Sequence, residues 1–254
     1  MECELLNKRE HKIYIVGIGP GAYEDMTIRA ASALRECEVI VGYTVYTELL
    51  KQHFPGKEYK TTPMRQEVSR CRIAFEEALK GRKTAVVCSG DAGIYGMAGL
   101  MFELAAEYPQ VELEVIPGVT AGLSGAALLG APLGHDCCFI SLSDLLTPWE
   151  VIENRLKRAA QADFALVLYN PSSRKRRDYL RRACEILLEF KSKDTVCGIA
   201  KNIGREGEAS ITVTLGELCE IETDMFSTVF IGNKETKEIK GKMVTPRGYK
   251  LGTE

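Results

Sequence analysis

Short apolar runs alternate with amphipathic stretches along the chain. Lys-Ile-Tyr-Ile-Val-Gly at 12–17 is apolar, ends in glycine and predicts a buried strand. Between 27 and 35, Ile28, Ala31 and Leu34 recur at helical spacing, predicting a helix that turns these three to the core, with Asp25 or Thr27 as its cap. A second strand is expected at 39–42. A helix is expected at 66–79, with Val68, Cys71, Phe75 and Leu79 in phase and Gly81 as its stop. Thr84 to Cys88 reads as a third strand. The glycine-rich stretch 89–93 leads into a helix ending near Glu107, and 111–116 is a fourth strand closed by Pro117-Gly118. Strand and helix in alternation predict a parallel sheet covered by helices.

Pro132 and Gly134-His135-Asp136 interrupt the pattern, which then resumes: strand 137–142, helix 148–160, strand 164–169, helix 175–190, strand 195–199. The runs at 210–214 and 228–231 are short and β-rich, with little helix between them, so antiparallel pairing is expected there. The fold class is therefore α/β. An N-terminal α/β domain with a mainly parallel sheet is expected at 12–120, and a C-terminal α/β domain with a mixed sheet at 121–233. Residues 234–254, with Pro246 and Gly248, read as a loose polar tail.

Composition narrows the function classes. The 254 residues fit one large domain or two small ones. Hydrophobic residues at 45% and charged residues at 27% lie in the globular range, which excludes disordered and coiled-coil classes. Lys+Arg is 33 against Asp+Glu 35, so nothing points to nucleic acid and any anion site must be local. The nine cysteines are scattered, mostly within apolar runs, and never spaced Cys-x-x-Cys; with only three histidines, no metal site is expected. Cys137 and Cys138 alternate faces of a strand and cannot share a metal. The first eleven residues are polar, and no apolar run nears the roughly 20 residues that span a bilayer. A cytoplasmic protein with reduced thiols and no membrane partner is expected.

Gly17-Ile-Gly-Pro-Gly-Ala22 follows the first strand and matches the G-x-G-x-x-A form of a dinucleotide fingerprint. Two details oppose that reading. Pro20 lacks the N–H that a pyrophosphate would use. The second strand ends Ile40-Val41-Gly42-Tyr43, without the acid that holds a ribose. A tight turn with no ligand is the other reading. Ser89-Gly-Asp-Ala-Gly-Ile-Tyr-Gly96 and Pro117-Gly-Val-Thr-Ala-Gly122 add two more glycine loops after buried strands. Three such loops at the carboxyl ends of one sheet make a ligand cleft.

Gly-Ile-Gly-Pro-Gly, Ser-Gly-Asp-Ala-Gly-Ile-Tyr-Gly and Pro-Gly-Val-Thr-Ala, in this order and spacing, resemble the tetrapyrrole methyltransferases, the S-adenosyl-L-methionine enzymes of corrin and sirohaem synthesis. The resemblance covers about residues 12–232. Leu142–Trp149, Tyr169–Arg174 and Lys201–Glu208 narrow it to the precorrin-3B C17-methyltransferase branch, including its cobalt-factor III counterpart. Ala92 stands where sister corrin methyltransferases usually carry Pro. The resemblance implies two α/β domains with a cofactor cleft between them, a homodimer, and ring contraction accompanying methylation. It implies cofactor contacts at Pro20, Gly90, Asp91, Ile94, Thr120 and Ala121, and in the second domain at Asn170, Ile199 or Ala200, and Thr228.

Methyl transfer from a sulfonium to carbon is an in-line displacement that asks mainly for held geometry. Asp91 and backbone carbonyls suit a positively charged cofactor, and no residue is assigned as catalytic acid or base. The resemblance implies a substrate, precorrin-3B or cobalt-factor III, that carries many carboxylates. Arg174 and Arg176, within Arg174-Lys-Arg-Arg177 at an expected helix start, are candidate partners for them, although such a run also reads as a solvated first turn. Lys201 and Arg205, in another glycine loop, and Arg65 are further candidates, with Gly19 and Gly21 where the first loop meets substrate. His135-Asp136 is either an acid–base pair or turn punctuation. Tyr95 and Trp149 either pack on a flat ring or serve the core. Competing functions are another tetrapyrrole methylase, an NAD(P)-dependent oxidoreductase, or a non-catalytic tetrapyrrole carrier.

Overall fold

The computed structural model describes residues 11–173 and 176–250. The chain divides between Thr120 and Ala121 into two compact units.

The N-terminal unit runs β1 (Lys12–Gly17), α1 (Ile28–Glu36), β2 (Val39–Tyr43), α2 (Thr44–Lys51), β3 (Glu58–Thr62), α3 (Glu67–Leu79), β4 (Thr84–Cys88), α4 (Ala98–Ala105) and β5 (Glu112–Ile116). Its sheet has the order β3-β2-β4-β1-β5, with every pair parallel. Alternate residues of the strands serve opposite faces. Ile13, Ile15, Val39, Val41 and Val86 pack with α3 and α4 through Phe75 and Met101. Val16, Ile40, Ala85 and Val87 pack with α1 and α2 through Leu34, Leu50 and Phe54. The chain thus leaves β1 toward one face and β4 toward the other, although β1 and β4 are neighbours. Their carboxyl ends open where connections diverge, the place at which open α/β sheets take ligands.

Thr27 caps α1, its hydroxyl accepting from Ala30 N. The expectation that Ile28 faces the core is overturned: it is 86% exposed, and the buried stripe is Ala30, Ala31, Ala33 and Leu34. Steps of three residues fall about 60° short of a full turn, so Ile28 and Leu34 end about 120° apart. Val68 and Leu79 are likewise exposed, because the buried stripe of α3 centres on Cys71, Ala74 and Ala78. Strand β3 was not expected. Glu-Tyr-Lys-Thr-Thr carries no apolar run because β3 is an edge strand with one neighbour.

The C-terminal unit contains α5 (Ala121–Leu129), β6 (Gly130–Ala131), β7 (Cys137–Ser141), α6 (Trp149–Gln161), β8 (Ala165–Tyr169), α7 (Tyr179–Leu188), β9 (Val196–Lys201), β10 (Ala209–Thr214), α8 (Leu215–Leu218), β11 (Ser227–Ile231), β12 (Lys237–Ile239) and β13 (Lys242–Val244). The main sheet, β10-β9-β11-β8-β7, is parallel only at β7–β8. One face packs with α6, α7 and α8 around Leu156, Leu168 and Leu187. The other carries α5, seated on Val167, Ala200 and Phe230. Helix α5 has no polar periodicity, so the sequence pattern missed it. Gly125 lets it lie close, since a methyl there would meet Phe230 and Ala200 at 2.9 and 3.0 Å. The helix expected from 175 begins only at Tyr179.

The expected loose tail is corrected over residues 237–244. Strands β12 and β13 form a hairpin, and β13 pairs with β6. Met243 is buried, and the Thr236 and Thr245 hydroxyls bond at 2.8 Å, with Thr245 donating to Pro132 O at 2.6 Å. Alternation over three residues is too short to read as a strand in sequence. Among the described residues no helix is long and apolar enough to cross a membrane, and no cluster of His, Cys, Asp and Glu could hold a metal ion.

Candidate functional site

The three glycine loops leave β1, β4 and β5, adjacent strands of the parallel sheet, and they touch backbone to backbone. Ile18 N donates to Cys88 O and Gly19 N to Gly90 O, each at 2.9 Å. A methyl on Gly17 would stand 2.6 Å from Gly118 N; one on Gly118 would stand 2.6 Å from Gly17 C and nearer still to Gly90 O. One on Gly19 would overlap the backbone of Gly90 and Val119. Only glycine permits this approach. The Thr27 hydroxyl, at the start of α1, donates to Pro117 O at 3.1 Å.

Asp91 fastens the second loop to the third. Its Oδ1 accepts from Gly93 N at 2.8 Å and Ile94 N at 3.1 Å, and its Oδ2 accepts from Gly118 N at 3.0 Å. The fold therefore brings Gly19, Pro20, Gly21, Gly90, Asp91, Ile94 and Thr120 to one carboxyl edge. Arg65 lies on the same edge but two strands away, exposed, with positive φ and its N–H on Glu67.

In the C-terminal unit Asn170 follows β8 with positive φ and donates from Nδ2 to Ser141 Oγ at 2.9 Å. Ala200 lies opposite Thr228 across the β9–β11 pair. Asn170, Ala200 and Thr228 thus share one edge, formed by the ends of β8 and β9 and the start of β11. Register separates the alternatives Ile199 and Ala200: Ile199 packs into the α6–α7 core, and Ala200 faces α5. Ala121 opens α5, and the Tyr169 hydroxyl accepts from Gly122 N at 2.7 Å. Tyr169 was not singled out by sequence, although its motif was; its reach across to α5 depends on the helix that pattern missed.

The cations stand on the same edge, but each described one has a partner. Arg176 Nη1 donates to Ser143 Oγ at 2.8 Å and Asp144 Oδ1 at 3.0 Å, and its Nε to Ser173 Oγ at 3.1 Å. The Tyr179 hydroxyl donates to Asp144 at 2.6 Å. That bond, aided by Arg176, holds the Asp144 carboxyl below the usual range and pushes the Tyr179 phenol up. Arg174 lies outside the described residues. Lys201 pairs with Asp224 at 2.7 Å, and Arg205 lies 5.9 Å from the centre of the Phe226 ring.

Other candidates fall away from this edge or are occupied. Arg182 lies 4.0 Å over the Trp149 ring, with Tyr179 beside it at 4.7 Å. Tyr95 is exposed with positive φ. Asp136 N donates to His135 Nδ1 at 2.9 Å with both side chains in solvent, a turn rather than a buried dyad.

The family model for tetrapyrrole (corrin/porphyrin) methylases matches residues 12–219. The chain belongs to the tetrapyrrole methylase family. A relative named as a probable cobalt-factor III C(17)-methyltransferase, from Salmonella typhimurium, is 48% identical over 93% of this chain and 99% of its own length. A tetrapyrrole methylase named precorrin-3B C(17)-methyltransferase, from a Sinorhizobium species, is 38% identical over 93% and 96%. The crystal structure of the methyltransferase CobJ superposes with a TM-score of 0.85 at 37% identity, covering 92% of this chain and 99% of that one. The α/β fold of this chain, with one parallel and one mixed sheet among its described residues, thus matches that of a solved methyltransferase.

Proposed function

We propose that this tetrapyrrole methylase is an S-adenosyl-L-methionine-dependent C-methyltransferase of corrin biosynthesis that methylates C17 of cobalt-factor III, with the accompanying ring contraction. The observation that carries it is 48% identity, over nearly the whole of both chains, to a relative of that name. The lower identity to the precorrin-3B enzyme favours the cobalt-containing substrate.

The loop edge of the N-terminal unit suits the cofactor. Its three loops carry no Lys or Arg, which disfavours a phosphate. The N–H groups of Gly93, Ile94 and Gly118 are already taken by Asp91, so a pyrophosphate would find them spent. That speaks against the NAD(P) reading. Gly90, Asp91, Ile94, Pro20, Thr120 and Ala121 are the proposed cofactor residues, with Asn170, Ala200 and Thr228 from the C-terminal unit. When bound, S-adenosylmethionine supplies an electrophilic methyl on a sulfonium. The loops hold that group rigidly, because their backbones are already in contact and little reorganises on binding. The Arg176 and Lys201 edge receives substrate carboxylates. No side chain is needed as nucleophile, since the attacking electron pair comes from the ring carbon.

Incubation of the purified protein with cobalt-factor III and methyl-labelled S-adenosylmethionine, read by mass spectrometry, tests this. One labelled methyl per tetrapyrrole is expected. Transfer to metal-free precorrin-3B alone would reassign the substrate, and absence of cofactor binding would overturn the proposal. Light scattering checks the expected homodimer.

A further inference from the structure

Arg70 is a buried cation that the cofactor and substrate assignments leave unused. Its side chain is 4% exposed. Nε donates to Thr62 Oγ at 2.9 Å, Nη2 to Pro63 O at 3.1 Å, and Nη1 to the Met97 thioether at 3.3 Å. Among the described residues no carboxylate pairs with it. Arginines buried this deeply are almost always matched with an anion, because an uncompensated charge is costly to desolvate. A thioether is a poor acceptor for a guanidinium.

The place matters as much as the charge. Thr62 is the last residue of β3, and Pro63 follows it. Met97 caps α4 directly after the Ser89–Gly96 loop, and its N–H donates to Cys88 Sγ at the end of β4. The guanidinium therefore lies at the carboxyl edge of the parallel sheet, beside the proposed cofactor loops and at the base of the turn bearing Arg65. Arg176 and Lys201 already hold carboxylates of the chain, whereas among the described residues Arg70 holds only neutral acceptors.

We propose that Arg70 is a recognition site for one carboxylate of the tetrapyrrole, admitted when the Met97 side chain gives way. Methionine is unbranched and adaptable, so its sulfur is readily displaced from Nη1. A carboxylate oxygen then takes the Nη1 donor, replacing a weak contact by a charge-assisted one. Thr62 and Pro63 keep the fork aimed from behind. This rests on the proposed methyltransferase reading and adds a specificity-determining residue to it.

The test uses the full chain with cobalt-factor III as substrate and S-adenosylhomocysteine as cofactor probe. Arg70→Gln keeps donors for Thr62 and Pro63 but removes the charge. It is expected to raise KM for the tetrapyrrole about ten- to a hundredfold, with kcat and S-adenosylhomocysteine affinity essentially unchanged and Arg70→Lys intermediate. An unchanged KM, or a parallel loss of cofactor affinity and melting temperature, would make Arg70 a fold anchor and overturn the proposal. Should Arg70→Gln not fold, the Met97 methyl resonance of the wild-type protein, assigned with Met97→Leu, decides. It must move as tetrapyrrole saturates the protein; a stationary resonance overturns the proposal. A wild-type protein that binds no tetrapyrrole removes the functional reading itself, a failure visible before any variant is made.

Discussion

In the N-terminal unit the residues at the carboxyl edge touch backbone to backbone; in the C-terminal unit they touch side chain to side chain. Gly17, Gly19, Gly90 and Gly118 close one edge by steric fit, with Asp91 and the Thr27 hydroxyl as side-chain fasteners. Arg176–Asp144–Tyr179 and Lys201–Asp224–Ser227 close the other by hydrogen bonds. A backbone cluster is rigid and accepts no added atom, which suits a cofactor of fixed shape. A polar side-chain network can be retuned one residue at a time, which suits a substrate defined by its pattern of carboxylates.

Substitutions test that contrast, from the most to the least damaging. Gly118→Ala drives a methyl into the Gly17 and Gly90 backbone. It is expected to cost about 3 kcal/mol in denaturant unfolding and to abolish S-adenosylmethionine binding by calorimetry. At the opposite end of the same sheet, Glu77 is 2% exposed among Lys60, Lys80 and Arg82. Burial alone would push its carboxyl up, but bonds from the three cations outweigh it and hold it at about 2. The native state thus prefers the charged form. That stability is complete above about pH 4.3, the unfolded value, and drains away as the pH falls toward the folded one. Glu77→Gln should cost about 2 kcal/mol at neutral pH and flatten the acid limb of the stability curve.

Asp91→Asn separates fastening from charge. Asparagine cannot accept from Gly93, Ile94 and Gly118 with two equivalent oxygens, so binding of S-adenosylmethionine and of S-adenosylhomocysteine should weaken alike, about tenfold. A loss confined to the sulfonium form would show instead that Asp91 acts by its charge on the ligand. Asp144→Asn should raise KM for the tetrapyrrole a few-fold and cost about 1 kcal/mol, with cofactor affinity intact. If cofactor affinity falls as well, the division of labour between the two edges is wrong. Ile28→Gln, on an exposed helix face, should change stability by less than about 0.5 kcal/mol.

Much of the architecture was legible because burial leaves a strong mark. The runs at 12–17, 84–88 and 165–169 are buried strands, and an apolar run bounded by turn residues has few other uses. The three glycine loops were legible too, since glycine after a buried strand marks close backbone approach. Edge strand β3, helix α5 and the β12–β13 hairpin were not. Each lacks periodicity of its own and is stabilised by one neighbour: β2, the mixed sheet and β6 respectively.

The chain's local chemistry determined the α/β class, the glycine loops and the motif set of the tetrapyrrole methylases, because these depend on residue type at short spacing. Tertiary structure decided what each polar residue is spent on. It committed Asp91 to three N–H groups of its own loops, set Ala200 rather than Ile199 beside α5, and paired Arg176 with Asp144. Among the described residues it also left Arg70 buried with neutral acceptors alone. Hydrogen-bond partners far apart in sequence are chosen by sheet order and register, and neither is written in the spacing of residues along one strand.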